Sequence, residues 1–312
     1  MPDEKIVSVI IPAYNAAKTL SDTIRSVQQQ TYQNFEIIIV NDGSTDETRT
    51  IGEYFVRIDK RIRLLNQHNN GSCIARNNGL KAARGHFVCV LDSDDLWPSY
   101  KLMEQVSLLN HHPKSISIGG VKRFSTDSGE FRWYHETYPR PYTTKLDYYK
   151  NLLYLRIDEM VLLNTLCAPK EYLIKEGWDP KYKTAHDWEL WFRLSKNYHI
   201  ITENKIYQYY RKHENSATKN YSIYTVAKSH LAVIEKHGHN VLTKQQTLKN
   251  ITDRLLTLSS ISYEKKNYQG LLYLLNLTLK YKYCLSYSKF YKHYLKLLLK
   301  SISNINSIKR VS

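Results

Sequence analysis

Four short apolar runs in the first hundred residues alternate with segments whose apolar residues recur at helical spacing. The runs are VSVIIP at 7–12, FEIIIVND at 35–42, IRLLNQ at 62–67 and HFVCVLD at 86–92. Continuous apolar runs of this length are typical of strands that are buried on both faces of a parallel sheet. Between them, helices are predicted around Leu20, Ile24 and Val27 and over residues 72–83.

The middle and the end of the chain have different patterns. SISIGGV at 115–121 is predicted to be a further strand, and RWYHETYPRPY at 132–142 is predicted to be a loop. DWELWFRLSK at 187–196 has the spacing of an amphipathic helix. After about Asn220, Leu, Tyr and Lys recur at helical spacing with almost no Gly or Pro, which predicts a helical C-terminal region.

Strands that alternate with helices indicate an α/β domain with a mixed, mainly parallel sheet flanked by helices. We place this domain at residues 1–218 and a basic helical C-terminal region at residues 219–312. A chain of 312 residues has ample core for both. The 42% hydrophobic and 24% charged residues are ordinary for a globular protein, which excludes a fibrous or disordered chain.

The net charge of +16 favours an anionic partner, such as a phosphate-bearing substrate or an acidic lipid. The charge is uneven, because residues 265–312 contain ten Lys or Arg and no Asp or Glu. YSKFYKHYLKLLLKSI at 287–302 has the pattern of a basic amphipathic helix, which can lie on an anionic membrane surface. The alternative is a helical bundle that packs its Leu and Tyr face and leaves its lysines in solvent. No nucleic-acid partner is expected, since no nucleic-acid motif accompanies the charge.

The four cysteines are far apart and lack the spacing of a zinc site, which favours a reducing cytoplasm. The segment MPDEKIVSV lacks the basic start and apolar stretch of a signal peptide. No uncharged apolar segment reaches the roughly 18 residues of a membrane-spanning helix. We therefore expect a cytoplasmic protein, with the inner face of the plasma membrane as a peripheral location.

Polar residues follow three of the four predicted strands. Tyr14 and Asn15 follow the first strand, Asp42 ends the second, and LDSDD at 91–95 ends the fourth. In sheets of this kind, ligands bind beyond the carboxyl ends of the strands, so we expect these residues to converge on one crevice.

The crowded carboxylates of Asp92, Asp94 and Asp95 would repel each other without compensation. A divalent cation would provide it, since Mg²⁺ and Mn²⁺ prefer oxygen ligands. The alternative role is capping of the next helix, which is expected from about Pro98. No phosphate loop, dinucleotide fingerprint, zinc-protease motif or serine-hydrolase motif is present, so carboxylates rather than a glycine cradle would bind the ligand.

The sequence resembles family 2 glycosyltransferases in four segments that occur in the family's order. These are VSVIIPAYNAAKTL, IIIVNDGSTDET, NNGSCIARNNGLKAARGHFVCVLDSDD and HDWELWFRL. The resemblance covers roughly residues 6 to 215. It implies the GT-A fold of nucleotide-diphospho-sugar transferases, a nucleotide-sugar donor and inversion at the anomeric carbon. It also implies a Mn²⁺ or Mg²⁺ cofactor and a role in bacterial surface polysaccharide assembly, such as lipopolysaccharide or capsule.

The resemblance assigns a role to each matching residue. The residues that would line the donor nucleotide site are Pro12, Ala13, Tyr14, Asn15, Asp42, Arg76, Asn77, Asp92 and Ser93. Asp42 would accept a hydrogen bond from the ribose or a pyrimidine N–H, which favours a UDP-sugar, and its alternative role is capping of the next helix. A solvated helix face is the alternative for Arg76 and for Asn77. Asp92 and Asp94 would hold the metal, and the role of Asp95 stays open.

The resemblance makes Asp187, in AHDWELW, the catalytic base. The family usually has Glu before this Asp, so His186 departs from its pattern. Donor binding, acceptor binding and simple packing stay open for His186. Trp188 and Trp191 are expected in the core, and the alternative for one of them is a place at the border of the acceptor pocket. Glu189 is expected on a solvated helix position.

YYRKHENSAT at 209–218 resembles the closing segment of the family. The match places Arg211 and His213 in a basic loop at the diphosphate or the acceptor. The alternative is an ordinary surface loop.

Together these residues predict an inverting, metal-dependent glycosyltransferase that acts on a glycan or lipid-linked acceptor. Asp187 would take the proton of the acceptor hydroxyl, and the metal would stabilise the leaving nucleoside diphosphate. Two alternatives remain. One is a nucleotidyltransferase, which also pairs carboxylates with Mg²⁺ at sheet ends, and the other is a non-catalytic scaffold that binds glycan or membrane.

Overall fold

The computed structural model describes most of the chain and divides it into two compact units. The described residues are 5–126, 131–140, 142–154, 164–212, 221–239 and 241–280. The first unit takes its described residues from 1–181 and 186–216, and the second takes its own from 182–185 and 217–312. The predicted domain boundary between residues 218 and 219 lies outside the described residues and stays a prediction.

The first unit is built on one mixed sheet. Its described strands are β1 (Val7–Ala13), β2 (Phe35–Asp42), β3 (Ile62–Gln67), β4 (Phe87–Val90), β5 (Ser115–Ser125), β6 (Arg132–Thr137), β7 (Cys167–Pro169) and β8 (His199–Arg211). The strand order is β3-β2-β1-β4-β7-β5-β6, and β8 pairs with β5. The pairs β1–β2, β1–β4, β2–β3 and β5–β8 are parallel. The pairs β4–β7, β5–β7 and β5–β6 are antiparallel. The predicted mixed, mainly parallel sheet is confirmed.

Seven described helices accompany this sheet. They are α1 (Leu20–Gln28), α2 (Thr48–Ile58), α3 (Ser72–Ala82), α4 (Lys101–His111), α5 (Lys145–Leu153), α6 (Lys170–Glu176) and α7 (His186–Asn197). The apolar residues of α1 join a core with β1, β2 and β4. Every residue of β1 and β2 is buried, which explains why both strands appear in the sequence as continuous apolar runs.

Helix α3 lies close against the sheet because it has glycine at its contact point. A Cβ atom at Gly79 would come within 2.5 Å of the Ile10 side chain and 3.2 Å of the Val40 side chain. Contacts this short would force the helix away from the sheet. The close approach matters for function, since α3 carries Arg76 and Asn77.

Two local predictions in the first unit are wrong. The segment at 132–142 was predicted as a loop but contains β6, which is held by its antiparallel pairing with β5 and by contact of Trp133 with Phe124. The helix expected from about Pro98 begins at Lys101, and its first turn is capped by Gln30, whose Oε1 accepts from the Leu102 N–H at 2.9 Å. Asp92 and Asp94 therefore do not have the capping role.

The second unit is helical over its described residues, as predicted. Its helices are α8 (Ile223–Gly238), α9 (Lys244–Glu264) and α10 (Tyr268–Lys280). Ser222 caps α8 and a Thr243–Gln246 capping box opens α9, so both helices begin with satisfied backbone donors. The basic segment at 287–302 lies outside the described residues. Among the described helices, none has the length and apolar character needed to cross a membrane.

Candidate active site

The loop after β1 is tied to the loop after β2. Pro12 and Ala13 are buried at the end of β1, and the Tyr14 side chain is 50% exposed beyond them. Asn15 adopts a left-handed conformation with φ 49°. Its backbone N–H donates to Ser44 Oγ at 3.0 Å, and its Oδ1 accepts from the Thr45 N–H at 2.8 Å. These contacts fix the polar tip that the sequence placed here.

Asp42 ends β2 and organises the segment that leads into α3. Its Oδ1 accepts from Gln67 Nε2 at 2.7 Å and from the Asn70 N–H at 2.9 Å. Its Oδ2 accepts from the Gly71 N–H at 2.9 Å. Gly71 has φ 87°, a left-handed conformation that favours glycine. Asp42 therefore holds the entry to α3 and does not cap α2, the next helix after it.

Asp92 follows β4 and is compensated by two neighbours. Arg76 Nη2 donates to its Oδ1 at 2.7 Å, and Asn164 Nδ2 donates to its Oδ2 at 3.0 Å. Burial raises the pKa of Asp92, and the guanidinium of Arg76 acts in the opposite direction. The next residue, Ser93, is held through its carbonyl, which accepts a hydrogen bond from the Thr19 hydroxyl at 2.8 Å.

The rest of the acidic loop is held from β8. Asp95 is buried, and its carboxylate accepts from Gln208 Nε2 and from the Arg211 N–H. Burial and the adjacent Asp94 raise the pKa of Asp95 well above its ordinary value. The Arg211 side chain donates through Nε to the Asp94 carbonyl at 2.8 Å and lies over the Phe124 ring at 4.8 Å. These contacts give Asp95 a structural role under the loop, while Asp94 is partly exposed.

The structure places Arg211 beneath the acidic loop with a guanidinium that is almost fully buried. A contact of Arg211 with the diphosphate or the acceptor stays a prediction. His213, predicted beside it, lies outside the described residues.

Arg76 links the donor side of the site to the predicted base. Its side chain is 5% exposed, and Nη1 lies 3.8 Å from Asp187 Oδ1 at the start of α7. Burial raises the pKa of Asp187, but the guanidinium of Arg76 and the hydrogen bond from the Trp178 indole lower it below its ordinary value. Asp187 is therefore ionised at neutral pH. Asp92 and Asp187 follow Arg76 by 16 and 111 residues in the sequence. In the fold, both carboxylates share its buried guanidinium.

His186 lies between the guanidinium of Arg76 and the carboxylate of Asp187. Its Nε2 is 2.7 Å from Arg76 Nη1 and 3.3 Å from Asp187 Oδ2. Burial lowers the pKa of His186 and the Asp187 carboxylate raises it, while the adjacent guanidinium of Arg76 opposes protonation of the ring. An imidazolium would however direct its Nε2–H against a guanidinium, which can only donate. We therefore assign Nε2 as the acceptor from Arg76 and the ring as neutral in this arrangement.

Asn77 contacts Trp178, in the segment between α6 and α7, rather than facing solvent. Its Nδ2 donates to the Trp178 carbonyl at 2.7 Å, and its Oδ1 accepts from the Trp178 N–H at 2.9 Å. The Trp178 indole donates through Nε1 to Asp187 Oδ1 at 2.7 Å. The alternative of a solvated helix face therefore does not apply to Asn77, and its predicted donor contact stays a prediction.

Sequence reasoning missed three residues of this site and misplaced a fourth. Gln67, Asn164 and Trp178 contact Asp42, Asp92 and Asp187 respectively. Only Gln67 carries a signal in the sequence, because it ends the third predicted strand. Glu189, expected in solvent, is fully buried because Arg193 pairs with it in a bidentate contact. Trp188 and Trp191 are in the core, as expected.

Comparison with known proteins identifies the family. The profile described as glycosyl transferase family 2 matches residues 8–165, about half of the chain. The chain belongs to glycosyl transferase family 2. This confirms the family that the four ordered segments resemble.

One curated relative of this family 2 member comes from Escherichia coli. WfgD, a UDP-Glc:alpha-D-GlcNAc-diphosphoundecaprenol beta-1,3-glucosyltransferase, is 41% identical over 127 residues, which are 40% of this chain and 49% of WfgD. The chain spans about half the length of the first curated relatives that it matches.

Solved structures share the fold of this family 2 member. Staphylococcus aureus TarS 1–349 in complex with UDP-GlcNAc has a TM-score of 0.60 at 20% identity, covering 88% of this chain and 81% of that chain. The mannosyltransferase PcManGT from Pyrobaculum calidifontis, in complex with GDP-Man and Mn²⁺, has a TM-score of 0.54 at 18% identity, covering 96% and 88%. At these identities the likeness concerns the fold, and it confirms the predicted GT-A fold.

Proposed function

We propose that this protein is an inverting, metal-dependent glycosyltransferase. It moves a sugar from a nucleotide-diphosphate sugar, with UDP as the nucleotide, to a hydroxyl of a glycan or lipid-linked acceptor. The observation that carries the proposal is the buried guanidinium of Arg76, which contacts Asp92 on the donor side and faces Asp187. Family membership supports the reaction class.

The predicted donor residues would have separate tasks. Asp42 ends β2, and the loop residues Tyr14 and Asn15 follow β1, at the carboxyl edge where ligands of such sheets bind. Asp42 would receive the pyrimidine or the ribose, and Asp92 and Ser93 would lie next to the sugar diphosphate. TarS was solved with UDP-GlcNAc and WfgD is named for a UDP-Glc donor, which supports UDP as the nucleotide.

The carboxylates after β4 fit a divalent cation. Asp92 and Asp94 offer hard oxygen donors, which Mn²⁺ and Mg²⁺ prefer. Across the described ranges no group of three or more His, Cys, Asp or Glu gathers that could enclose a metal. That donor set suits an ion that is shared with a diphosphate rather than caged by protein. Such an ion would act as a Lewis acid for the leaving diphosphate.

Asp187 would act as the general base. Its side chain is 29% exposed, so an acceptor hydroxyl can reach it, while the hydrogen bond from the Trp178 indole fixes its orientation. The carboxylate accepts the hydroxyl proton as the oxygen attacks the anomeric carbon. Its low pKa suits a proton transfer that occurs late, when bond formation has made the hydroxyl acidic. One displacement inverts the anomeric configuration.

We place the enzyme in bacterial cell-surface polysaccharide biosynthesis, such as that of lipopolysaccharide or capsule. WfgD is named for a lipid-linked acceptor, which supports an acceptor of that kind. A cytoplasmic location, peripheral on the inner face of the plasma membrane, would bring the site to such an acceptor. The basic residues after position 265 would bind the anionic membrane surface.

A donor panel tests the proposed reaction. We expect the full chain with Mn²⁺ to bind UDP-sugars in calorimetry and to release UDP from one of them, with weaker binding of GDP- and dTDP-sugars. A nucleotidyltransferase would instead form pyrophosphate from a nucleoside triphosphate and a sugar phosphate. Absence of binding and turnover with every donor would contradict the enzyme proposal.

A second test concerns the metal. Asp94→Asn should raise the Mn²⁺ concentration that supports half-maximal UDP release, because one hard ligand is lost. We expect a rise of about tenfold or more, the scale seen when groups of a metal site are changed. The control is Asp95→Asn, whose carboxylate faces Gln208 and Arg211. It should lower the midpoint of unfolding and leave the Mn²⁺ concentration for half-maximal UDP release close to that of wild type. An unchanged metal requirement in Asp94→Asn would remove this residue as a ligand.

A further inference from the structure

Three consecutive residues of α3 contact three different parts of the site. Successive helical residues point about 100° apart, so neighbours on one turn can reach separate loops. Arg76 donates to Asp92 after β4. Asn77 pairs with the backbone of Trp178, and Asn78 Nδ2 donates to Gln67 Oε1 at 2.7 Å.

The contact of Asn77 fixes a turn rather than a side chain. Its amide makes two reciprocal hydrogen bonds to the Trp178 N–H and carbonyl, which hold that peptide in place and orientation. The preceding residue, Gly177, has φ 58°, a left-handed turn that favours glycine. A Cβ atom on Gly177 would lie 3.5 Å from Asn77 Oδ1, so the Asn77 amide packs in van der Waals contact with this turn.

The fixed turn determines where the Trp178 indole points. The side chain is buried, and its single N–H donates to Asp187 Oδ1 at 2.7 Å. An indole has only this one donor. The chain of contacts therefore runs from the Asn77 amide through the Trp178 backbone and ring to the Asp187 carboxylate.

The contact of the next residue, Asn78, leads instead to the end of β2. Asn78 holds Gln67 through Oε1, and Gln67 Nε2 donates to Asp42 Oδ1. Asn78 is therefore connected to the end of β2, and Asn77 is connected to the start of α7. The two adjacent amides belong to different halves of the site.

We infer that Asn77 is a positioning residue for the Asp187 base, acting through Trp178, while Asn78 positions Asp42 for the donor nucleotide. The inference rests on the proposed function, in which Asp187 is the base and Asp42 binds the donor. It divides the double asparagine of ARNNG into one residue that supports the chemical step and one that supports donor binding.

The two asparagines are tested against each other. Asn77→Ala should lower kcat by about 10- to 100-fold, since a displacement of about 1 Å in a reacting group has effects of this size. Its dissociation constant for UDP should stay within about twofold of wild type, because Asp42 is untouched. Asn78→Ala should show the reverse, with weaker UDP binding and a kcat close to that of wild type. Each variant serves as the matched control of the other.

A second variant removes only the indole donor. Trp178→Phe keeps an aromatic ring in the buried position and should lower kcat like Asn77→Ala, with UDP binding unchanged. Thermal unfolding shows whether each variant is folded at the assay temperature.

A readout without turnover separates this inference from the proposed function. The chain has five Trp, and Trp178→Phe identifies the indole ¹⁵N–¹H resonance of Trp178. This N–H should exchange slowly with solvent in the wild type and faster in Asn77→Ala, but not in Asn78→Ala. If no donor turns over, the proposed function fails and the exchange rates still test the contact chain.

Any of three results would overturn the inference. The first is a wild-type exchange rate of the Trp178 indole in Asn77→Ala. The second is a kcat in Asn77→Ala or Trp178→Phe equal to that of wild type. The third is a loss of UDP binding in Asn77→Ala as large as in Asn78→Ala.

Discussion

Asp187→Asn is expected to lower sugar transfer by about 100- to 10,000-fold, the range that a general base contributes. The amide has the shape of the carboxylate and can still accept from the Trp178 indole, so the start of α7 should keep its structure. What is lost is the negative charge beside Arg76 and the ability to take a proton. Initial rates of UDP release with acceptor present measure the effect.

Donor binding separates a lost base from a damaged site. UDP binding to Asp187→Asn should stay close to that of wild type, because the predicted nucleotide contacts come from the ends of β1, β2 and β4. Asp147→Asn is the matched control, since this carboxylate contacts Thr143 at the start of α5 and none of the site residues. Its rate should equal that of wild type. Transfer by Asp187→Asn at more than about a tenth of the wild-type rate would remove Asp187 as the base.

The sheet was predictable where a long strand is buried at every position. The bounds of β2 agree with its predicted run, because all eight of its residues are buried. The edge strand β6 was missed for the opposite reason. Its residues are largely exposed, and its pairing with β5 provides the hydrogen bonds that make it a strand. Such pairing leaves no periodic trace in the local sequence.

The site was predictable where function coincides with strand ends. Asp42 and Asp92 lie at the carboxyl edge because parallel strands end there together. Trp178 and Asn164 could not be predicted in this way. They reach Asp187 and Asp92 through tertiary packing, and each lies in a segment without a strand-end or motif signal.

The crowding of three acids in LDSDD has a structural answer in addition to the proposed cation. Arg76 and Asn164 contact Asp92, while Asp95 is turned inward onto Gln208 and the Arg211 backbone. The loop thus leaves Asp92 and Asp94 partly exposed, with Asp95 buried beneath them. The crowding at a strand end suggested a cation and the family resemblance suggested the diphosphate, and the contacts explain how the chain tolerates the acids.

Arg76→Met is expected to lower the free energy of unfolding by about 3–5 kcal/mol near neutral pH, the cost of removing one partner from a buried ion pair. Methionine fills much of the same space, so the loss is mainly electrostatic. Asp92 and Asp187 would both remain, with no cation between them. Urea unfolding measures the change. The control is Arg49→Met, which breaks an exposed pair with Glu53 and should cost about 0.3–0.5 kcal/mol.

The pH dependence of this loss distinguishes charge from packing. Arg76 lowers the pKa of Asp187 below its unfolded value of about 3.9. The ionised carboxylate therefore stabilises the fold above that pH, and the contribution is lost as the pH falls through and below it. Without Arg76, Asp92 and Asp187 would take up protons at higher pH, which relieves their repulsion. The difference between wild type and Arg76→Met should thus be largest near neutral pH and shrink toward about pH 4. A difference that stays constant with pH would mean that packing, rather than charge, is the main contribution of Arg76.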